Sequence, residues 1–183
     1  MSVVRLLILG VVRKQGTTYG YKVQRELERW EVETWTRIRP GSIYHALNQL
    51  AKEGMLRSIG AEHSPDGPGR IAYELLPAGE AAFLELVRKA LLSFDLETLG
   101  AGIAFMHVLP REEALTQLRT LHAALAKNER HLKGLAPNFS DRDTPPHTAD
   151  LLELWSGALG ATKAWAKKLI ARLEAGDYTM ADE

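Results

Sequence analysis

Apolar residues recur at helical spacing along most of the chain, and they alternate in only one short region. Stripes of this kind predict helices at residues 3–14, 17–30 and 40–53. Thr17 or Thr18 is a candidate cap for the second helix, and Gly54, which can adopt a left-handed turn, ends the third. After Gly54, two short alternating runs flank a turn rich in proline and glycine at residues 66–69, which predicts a β-hairpin.

The second half of the chain has a helical pattern throughout. Pro77 suits a first helical position, and an apolar stripe follows it to Phe94. Further helices are predicted after Pro110 and at residues 149–175, on either side of a loop at 136–148. The fold class is therefore mainly α with a small β-hairpin wing, with an N-terminal winged helix-turn-helix and a C-terminal α-helical region.

The predicted helix at 40–53 has an outer face that is polar without being acidic. A rotation of about 100° per residue places the following residues on or beside that face: Gly41, Ser42, Tyr44, His45, Asn48, Gln49 and Lys52. The two carboxamides can hydrogen-bond base edges, while the hydroxyls, the lysine and the helix N-terminus can bind phosphates. This is the candidate recognition helix.

Several short motifs occur together in one order and spacing. They are Tyr19-Gly20-Tyr21, Pro40-Gly41-Ser42-Ile43-Tyr44 with Leu47 and Leu50, Glu53-Gly54-Met55-Leu56, Arg70, Tyr73, Leu75 and Pro77-Ala78-Gly79. In this combination the chain resembles the PadR family of bacterial transcriptional regulators. It departs from the family at Leu76, where threonine is common, and at Arg39, where a small capping residue is common. His45-Ala46 follows Tyr44, where proline is frequent, and this leaves the base preference open.

The resemblance implies a winged helix-turn-helix, a homodimer held by C-terminal helices, and repression relieved by a small molecule. It divides the chain into a DNA-binding domain at residues 1–76 and a helical domain for dimerisation and effector binding at residues 77–183. Twelve residues are predicted to contact double-stranded DNA: Thr18, Tyr19, Lys22, Arg39, Gly41, Ser42, Tyr44, His45, Asn48, Gln49, Lys52 and Arg70.

Charge distribution agrees with this division, although the 23 basic and 23 acidic residues cancel overall. Residues 1–76 carry eleven basic and eight acidic side chains, a net charge of +3, and the remainder carries −3. A neutral protein can thus present a locally positive face to phosphates. Because the excess is modest, we expect tight binding to need two copies of that face.

Composition also narrows the function class. The chain has no cysteine, which excludes disulfides and thiolate chemistry and fits a cytoplasmic location, and no apolar run is long enough for a membrane span. The six histidines do not form a metal-ligand spacing, and no nucleophile elbow, phosphate loop or paired acid and base is present. We therefore predict no enzyme activity, no metal and no cofactor.

A heptad-like seam after Pro110 and a second stripe on the last helix are candidates for dimerisation. They comprise Leu118, Leu121, Leu125, Asn128 and Leu132 on the first, and Leu151, Ala158 and Leu169 on the second. The seam can pair within one chain or between two. Asn128 would fix the register if it is buried, and otherwise it faces water.

Three tryptophans are candidates for a hydrophobic or aromatic effector: Trp35, Trp155 and Trp165. For each of them, packing in the core or in a dimer interface is the alternative. Three functions remain open: a dimeric DNA-binding repressor, a winged-helix module for protein contacts, and a small-molecule-binding helical protein. An acidic or hydrophobic outer face at residues 41–52 would favour the second. A purified sample that holds a bound apolar compound and shows no salt-sensitive DNA binding would favour the third.

Overall fold

The computed structural model describes residues 2–60, 71–135, 145 and 147–183. It divides the chain into two compact units, one of residues 1–90 and 95–105 and the other of residues 91–94 and 106–183. This division differs from the predicted boundary after Leu76, because the two helices that follow Leu76 cluster with the first unit. The separation of DNA binding from dimerisation at that boundary stays a prediction.

The first unit contains six helices and a small sheet among its described residues. They are α1 (Val3–Gln15), β1 (Thr18–Tyr19), α2 (Gly20–Arg29), α3 (Val32–Trp35), α4 (Pro40–Lys52), β2 (Leu56–Ile59), β3 (Ala72–Leu75), α5 (Pro77–Ala90) and α6 (Leu96–Phe105). The predicted hairpin is confirmed, since β2 and β3 pair antiparallel with Ser58 opposite Tyr73. Gly54 has a φ of 72°, as its role at the end of α4 requires.

Two details of this unit differ from the sequence prediction. Thr18 does not cap α2: it lies in β1, and Tyr19 occupies the cap position without a side-chain hydrogen bond. The sheet has three strands, not two, because β1 pairs with β3 through Thr18 opposite Tyr73. A hydroxyl at residue 18 was expected to favour the helix start, but the strand pairing places it in the interior.

The core of the first unit forms around α1, which is apolar on nearly every side. Its residues 6–12 are all buried. Phe105 on α6 packs edge-on against Phe83 on α5, with 5.3 Å between the ring centroids. A Cβ on Gly10 would lie 2.2 Å from the Phe105 ring, so α1 and α6 require a glycine at this contact. The inner stripe of α4 is held against this core.

The second unit is mainly a pair of long helices, α7 (Arg111–Leu135) and α8 (Thr148–Glu174), preceded by a 3₁₀ turn at Met106–Val108. The first turn of α7 carries Glu112 and Glu113, as expected at the positive end of a helix dipole. The Arg111 guanidinium donates to the backbone carbonyls of Leu173 and Tyr178, which ties the start of α7 to the end of α8. No helix among the described residues has the length and apolar content that a bilayer crossing needs.

Candidate nucleic-acid interface

Helix α4 has one buried and one exposed side, as its sequence pattern predicts. Ile43, Ala46, Leu47 and Leu50 are buried against the first unit. The predicted contact residues on the opposite side are exposed or half-buried: Gly41, Ser42, Tyr44, His45, Asn48, Gln49 and Lys52. The structure therefore brings these seven residues together on one surface, which we call the α4 face.

The α4 face continues onto the start of α2. A Cβ on Gly20 would lie 2.8 Å from the Tyr44 ring, so the two helices approach closely only because residue 20 is a glycine. The Tyr19 ring stacks on the Tyr21 ring with 5.8 Å between centroids, and the Lys22 Nζ lies 5.6 Å from the Tyr19 centroid. Tyr19 and Lys22 therefore contact each other beside Gly20, the residue at which α2 approaches Tyr44.

Thr18 is the predicted contact residue that the structure removes from the surface. Its exposed fraction is 1%, and its hydroxyl donates to the Gln15 side-chain oxygen at 2.6 Å. A buried hydroxyl with a satisfied donor has nothing to offer a phosphate. Thr18 therefore supports the sheet beneath the interface.

The N-terminal turn of α4 is organised by backbone contacts. Pro40 occupies the first helical position and Arg39 the cap position, without a side-chain cap. The Ser42 hydroxyl donates to the Arg39 carbonyl at 2.7 Å, which occupies its single proton. Ser42 can still accept a hydrogen bond, so phosphate binding at this end depends on Arg39 and the backbone N–H groups.

Asn48, at the centre of the α4 face, is held by a residue of the sheet. The Tyr73 hydroxyl donates to Asn48 Oδ1 at 2.8 Å. Tyr73 is only 4% exposed, and burial, followed by the nearby Tyr44, raises its pKa. The hydroxyl consequently keeps its proton and remains a donor. The sequence gives no sign of this contact, because 25 residues separate the partners.

The single acid between residues 34 and 60 is neutralised within the fold. Glu53 accepts hydrogen bonds from Arg5 and from Gln49 Nε2, the latter at 3.0 Å. The bonds from Arg5 and then Gln49 lower the pKa of Glu53 to about 2. Among the described residues, neither Arg39 nor Lys52 forms an ion pair with a carboxylate, so the α4 face retains positive charge available to an anion.

A concave pocket of about 430 Å³ lies beside β1 and along α2. Its lining residues are Gln15, Thr17, Thr18, Lys22, Arg25, Glu26 and Arg29. Glu26 is 8% exposed and forms ion pairs with Lys14 at 2.8 Å and Arg29 at 3.2 Å, and the Lys14 hydrogen bond is the main cause of its lowered pKa. Arg25 and Arg29 were not predicted as contacts, although their spacing with Lys22 on one helix face signals a basic surface.

The described part of the wing consists of its two strands, β2 and β3. Arg57 on β2 and Glu74 on β3 pair across the hairpin, so this cation is compensated. The predicted turn at 66–69 and the predicted contact Arg70 lie outside the described residues. The wing's part in DNA binding stays a prediction.

In the second unit, the predicted seam on α7 packs within the chain. Leu118, Leu121 and Leu125 have no exposed surface. Asn128, by contrast, is exposed, and its amide donates to the Ala124 carbonyl of its own helix at 2.9 Å. The register-fixing role considered for Asn128 is therefore wrong for the α7–α8 pair. Glu129 on α7 is a buried polar residue, and it accepts from Lys133 at 2.7 Å and from Lys163 on α8.

The remaining dimerisation candidates separate into buried and exposed residues. Leu169 is buried and Leu132 half-buried, whereas Leu151 and Ala158 are exposed on α8. Other apolar residues share the exposed side of α8, and Leu154 is its most exposed large member at 66%. We call Leu151, Leu154, Ala158, Ala161 and Trp165 the α8 stripe. Its steps of three and four residues resemble the seam of a coiled coil.

The three predicted effector tryptophans do not form one site within either unit. Trp35, in the first unit, is half-buried, donates to the Trp30 carbonyl at 3.2 Å and packs near Gly100. Trp155 and Trp165, in the second unit, are 49% and 39% exposed. Among the described residues there is also no group of three or more side chains that could hold a metal ion.

Comparison with known proteins finds a family match within the first unit. Residues 8–85 match the family model described as "Transcriptional regulator PadR-like family". Over 64 residues the chain is 38% identical to Transcriptional regulator Rv3488 of Mycobacterium tuberculosis, a match that covers 35% of this chain and 57% of that protein. The match thus extends over little more than half the length of this curated relative.

Solved structures include distant likenesses over most of the chain. Bacillus subtilis PadR in complex with operator DNA is 17% identical with a TM-score of 0.42, covering 93% of this chain and 98% of that chain. The smu.1604c protein of Streptococcus mutans is 14% identical with a TM-score of 0.40, covering 91% and 98%. These likenesses are too distant to transfer a contact or a ligand. The matched segment, residues 8–85, carries the helix-turn-helix and the strands of the wing, and in this segment the chain is similar to the PadR-like family of transcriptional regulators.

Proposed function

We propose that the chain binds duplex DNA through the α4 face and regulates transcription as a homodimeric repressor. The observation that carries this proposal is the exposure of Tyr44, His45, Asn48, Gln49 and Lys52 together on one side of a helix whose other side is buried. A helix of this kind fits the major groove, with polar side chains towards base edges and cations towards phosphates.

The charge of the α4 face favours DNA over a protein partner. A protein-binding winged helix would present an acidic or hydrophobic outer surface at residues 41–52. The described face is polar, its nearest acid Glu53 is paired with Arg5, and Arg39 and Lys52 remain uncompensated among the described residues. A DNA partner would also place the protein in the bacterial cytoplasm.

The α8 stripe supports the proposed dimer. Leu151, Leu154 and Trp165 expose apolar surface along one side of α8, and the small residues Ala158 and Ala161 between them would let a second helix approach. Two copies of the chain can bury this stripe against each other in a symmetric interface. Two α4 faces would then read half-sites about one turn of DNA apart, roughly 34 Å.

An effector that binds on or beside the α8 stripe would regulate such a dimer by favouring one arrangement of the two copies over another. A flat aromatic or hydrophobic molecule could lie against Trp155 or Trp165, both of which are exposed. It would shift DNA affinity only if it binds the two arrangements with different affinity.

Selection of bound DNA from a random duplex pool tests the proposal directly. We expect a palindromic or pseudopalindromic sequence. The affinity of the protein for this duplex should fall steeply as the salt concentration rises. A selected sequence without two-fold symmetry would contradict the dimer, and no enrichment at low salt would contradict DNA recognition. Titration of the protein on the selected duplex with small aromatic or hydrophobic molecules then tests whether an effector exists.

A further inference from the structure

Tyr73 and Asn48 join the wing to the candidate recognition helix through one hydrogen bond. Tyr73 lies on β3, the central strand of the sheet, where Thr18 of β1 and Ser58 of β2 flank it. Its ring is 4% exposed, and its hydroxyl donates to Asn48 Oδ1 at 2.8 Å. The buried Tyr73 hydroxyl therefore holds the side chain of Asn48, which lies at the surface.

In this structure the bond places the carboxamide oxygen of Asn48 towards Tyr73 and its nitrogen at the other end. A free asparagine amide can rotate and present either its oxygen or its nitrogen. Here the oxygen faces the Tyr73 hydroxyl, so the two N–H groups of Nδ2 lie at the opposite end of the amide. Asn48 belongs to the exposed side of α4, where those N–H groups are available to a partner.

We propose that Tyr73 is a positioning residue for base recognition, which holds Asn48 as a hydrogen-bond donor towards the major groove. The proposal rests on the proposed function and adds a chemical preference to it. Guanine, adenine and thymine each present an acceptor there, whereas cytosine presents only its N4 amino donor. Asn48 should consequently discriminate against cytosine on the strand it contacts.

Selection from a random duplex pool with the full chain and its variants tests this assignment. Asn48→Ala first locates the base position that Asn48 reads, as the position where preference disappears. At that position we expect the native chain to exclude cytosine. In Tyr73→Phe the amide is free to rotate, so the share of cytosine should rise about two- to tenfold, the range of one neutral hydrogen bond.

A merely structural role of Tyr73 would lower stability and affinity for all sequences alike. A positioning role predicts instead that Tyr73→Phe changes neither the salt dependence of binding nor the base preference at any other position. Tyr178→Phe, in the second unit, is the matched control and should leave the selected sequence unaltered. Cytosine preference in the native chain, or an unchanged cytosine share in Tyr73→Phe, would overturn the proposal.

Asn48→Asp provides a second test that keeps the tyrosine. A carboxylate still accepts from Tyr73 but presents only acceptor oxygens outward, so the preference should reverse towards cytosine. If this variant keeps the native preference, or if Asn48→Ala changes no position, the assignment fails while DNA binding stands. Failure of the proposed function looks different, because the native chain would then enrich no DNA.

Discussion

The guanidinium of Arg5 on α1 forms two hydrogen bonds with the carboxylate of Glu53, directly after α4, and the Nη1–Oε1 distance is 3.0 Å. The contact joins residues 48 positions apart and fixes the C-terminal end of the candidate recognition helix to the first helix of the core. Glu53 also accepts from Gln49. One carboxylate thereby orients α4 and removes a negative charge from the face proposed to meet phosphates.

Glu53→Gln should lower the stability of the fold near neutral pH. The pKa of Glu53 is lowered to about 2 from its usual value near 4.5, mainly by the Arg5 hydrogen bond. A carboxylate with a depressed pKa in the folded state stabilises fully above 4.5, and that contribution is lost as the pH falls towards 2. The midpoint of urea unfolding at pH 7 and at pH 3 measures the effect. Because the Arg5–Glu53 pair is partly exposed and screened by solvent, we expect a small but measurable difference between native and variant chains at pH 7 and a smaller one at pH 3.

Glu33→Gln is a suitable control for this pH dependence, since Glu33 is an exposed carboxylate on α3. Its unfolding midpoint should follow that of the native chain at both pH values. Equal midpoints for Glu53→Gln and the native chain at pH 7 would show that the contact with Arg5 adds nothing to stability.

Lys52→Ala should weaken binding to all DNA sequences alike. Lys52 is exposed on the α4 face and forms no ion pair with a carboxylate among the described residues. Loss of one phosphate contact reduces the slope of log affinity against log salt by about 1. A salt titration on the selected duplex and on a scrambled duplex measures this slope. Lys127→Ala, which removes an exposed lysine from α7, is the control and should keep the native slope.

Asn48→Ala should relax sequence preference with little change in the salt slope. If Asn48 reads a base, truncation costs about 1–3 kcal/mol on the preferred duplex. Competition between the selected duplex and single-base substitutions of it measures the preference. A variant that ranks all duplexes as the native chain does would remove Asn48 from base recognition.

The helical stripes could be predicted from sequence because they depend on near neighbours. Ile43, Leu47 and Leu50 share a face at a spacing that any helix imposes, and Gly54 ends α4 through its own backbone freedom. The α4 face follows from this periodicity alone. The same local signals place the hairpin strands, although not the length of each helix to the residue.

The contacts that organise the site depend on residues far apart in the chain. Two residues, Thr18 and Tyr19, are too few to form a recognisable strand, and β1 exists only because β3 pairs with it from more than 50 positions away. Asn128 shows the same limit, since a heptad spacing does not reveal which side of α7 is covered. The sequence pattern around Tyr73 is that of a core residue in a strand, and only the fold shows that its hydroxyl contacts Asn48.

Gly79→Ala should destabilise the first unit strongly. Gly79 is buried on α5, and a Cβ there would lie 2.2 Å from the Met55 carbonyl oxygen, a backbone atom that cannot move aside cheaply. Overpacking of this kind costs about 1–3 kcal/mol or more. Gly134→Ala on α7 is the control, because nothing lies within 4 Å of its Cβ position. Chemical denaturation should show a lower free energy of unfolding for Gly79→Ala and only a small change for Gly134→Ala.

Leu154→Asp should convert the proposed dimer into monomers without unfolding the second unit. Leu154 is 66% exposed on the α8 stripe, so an aspartate there is solvated in the single chain, whereas a symmetric interface would bury two like charges without partners. Light scattering coupled to size exclusion measures the mass, and circular dichroism checks the helix content. Ala149→Asp is the control: it adds the same charge to the first turn of α8, away from the stripe, and should keep the native mass. If the native chain has the mass of one copy, or if Leu154→Asp retains the mass of two, the α8 stripe is not the surface that joins the copies.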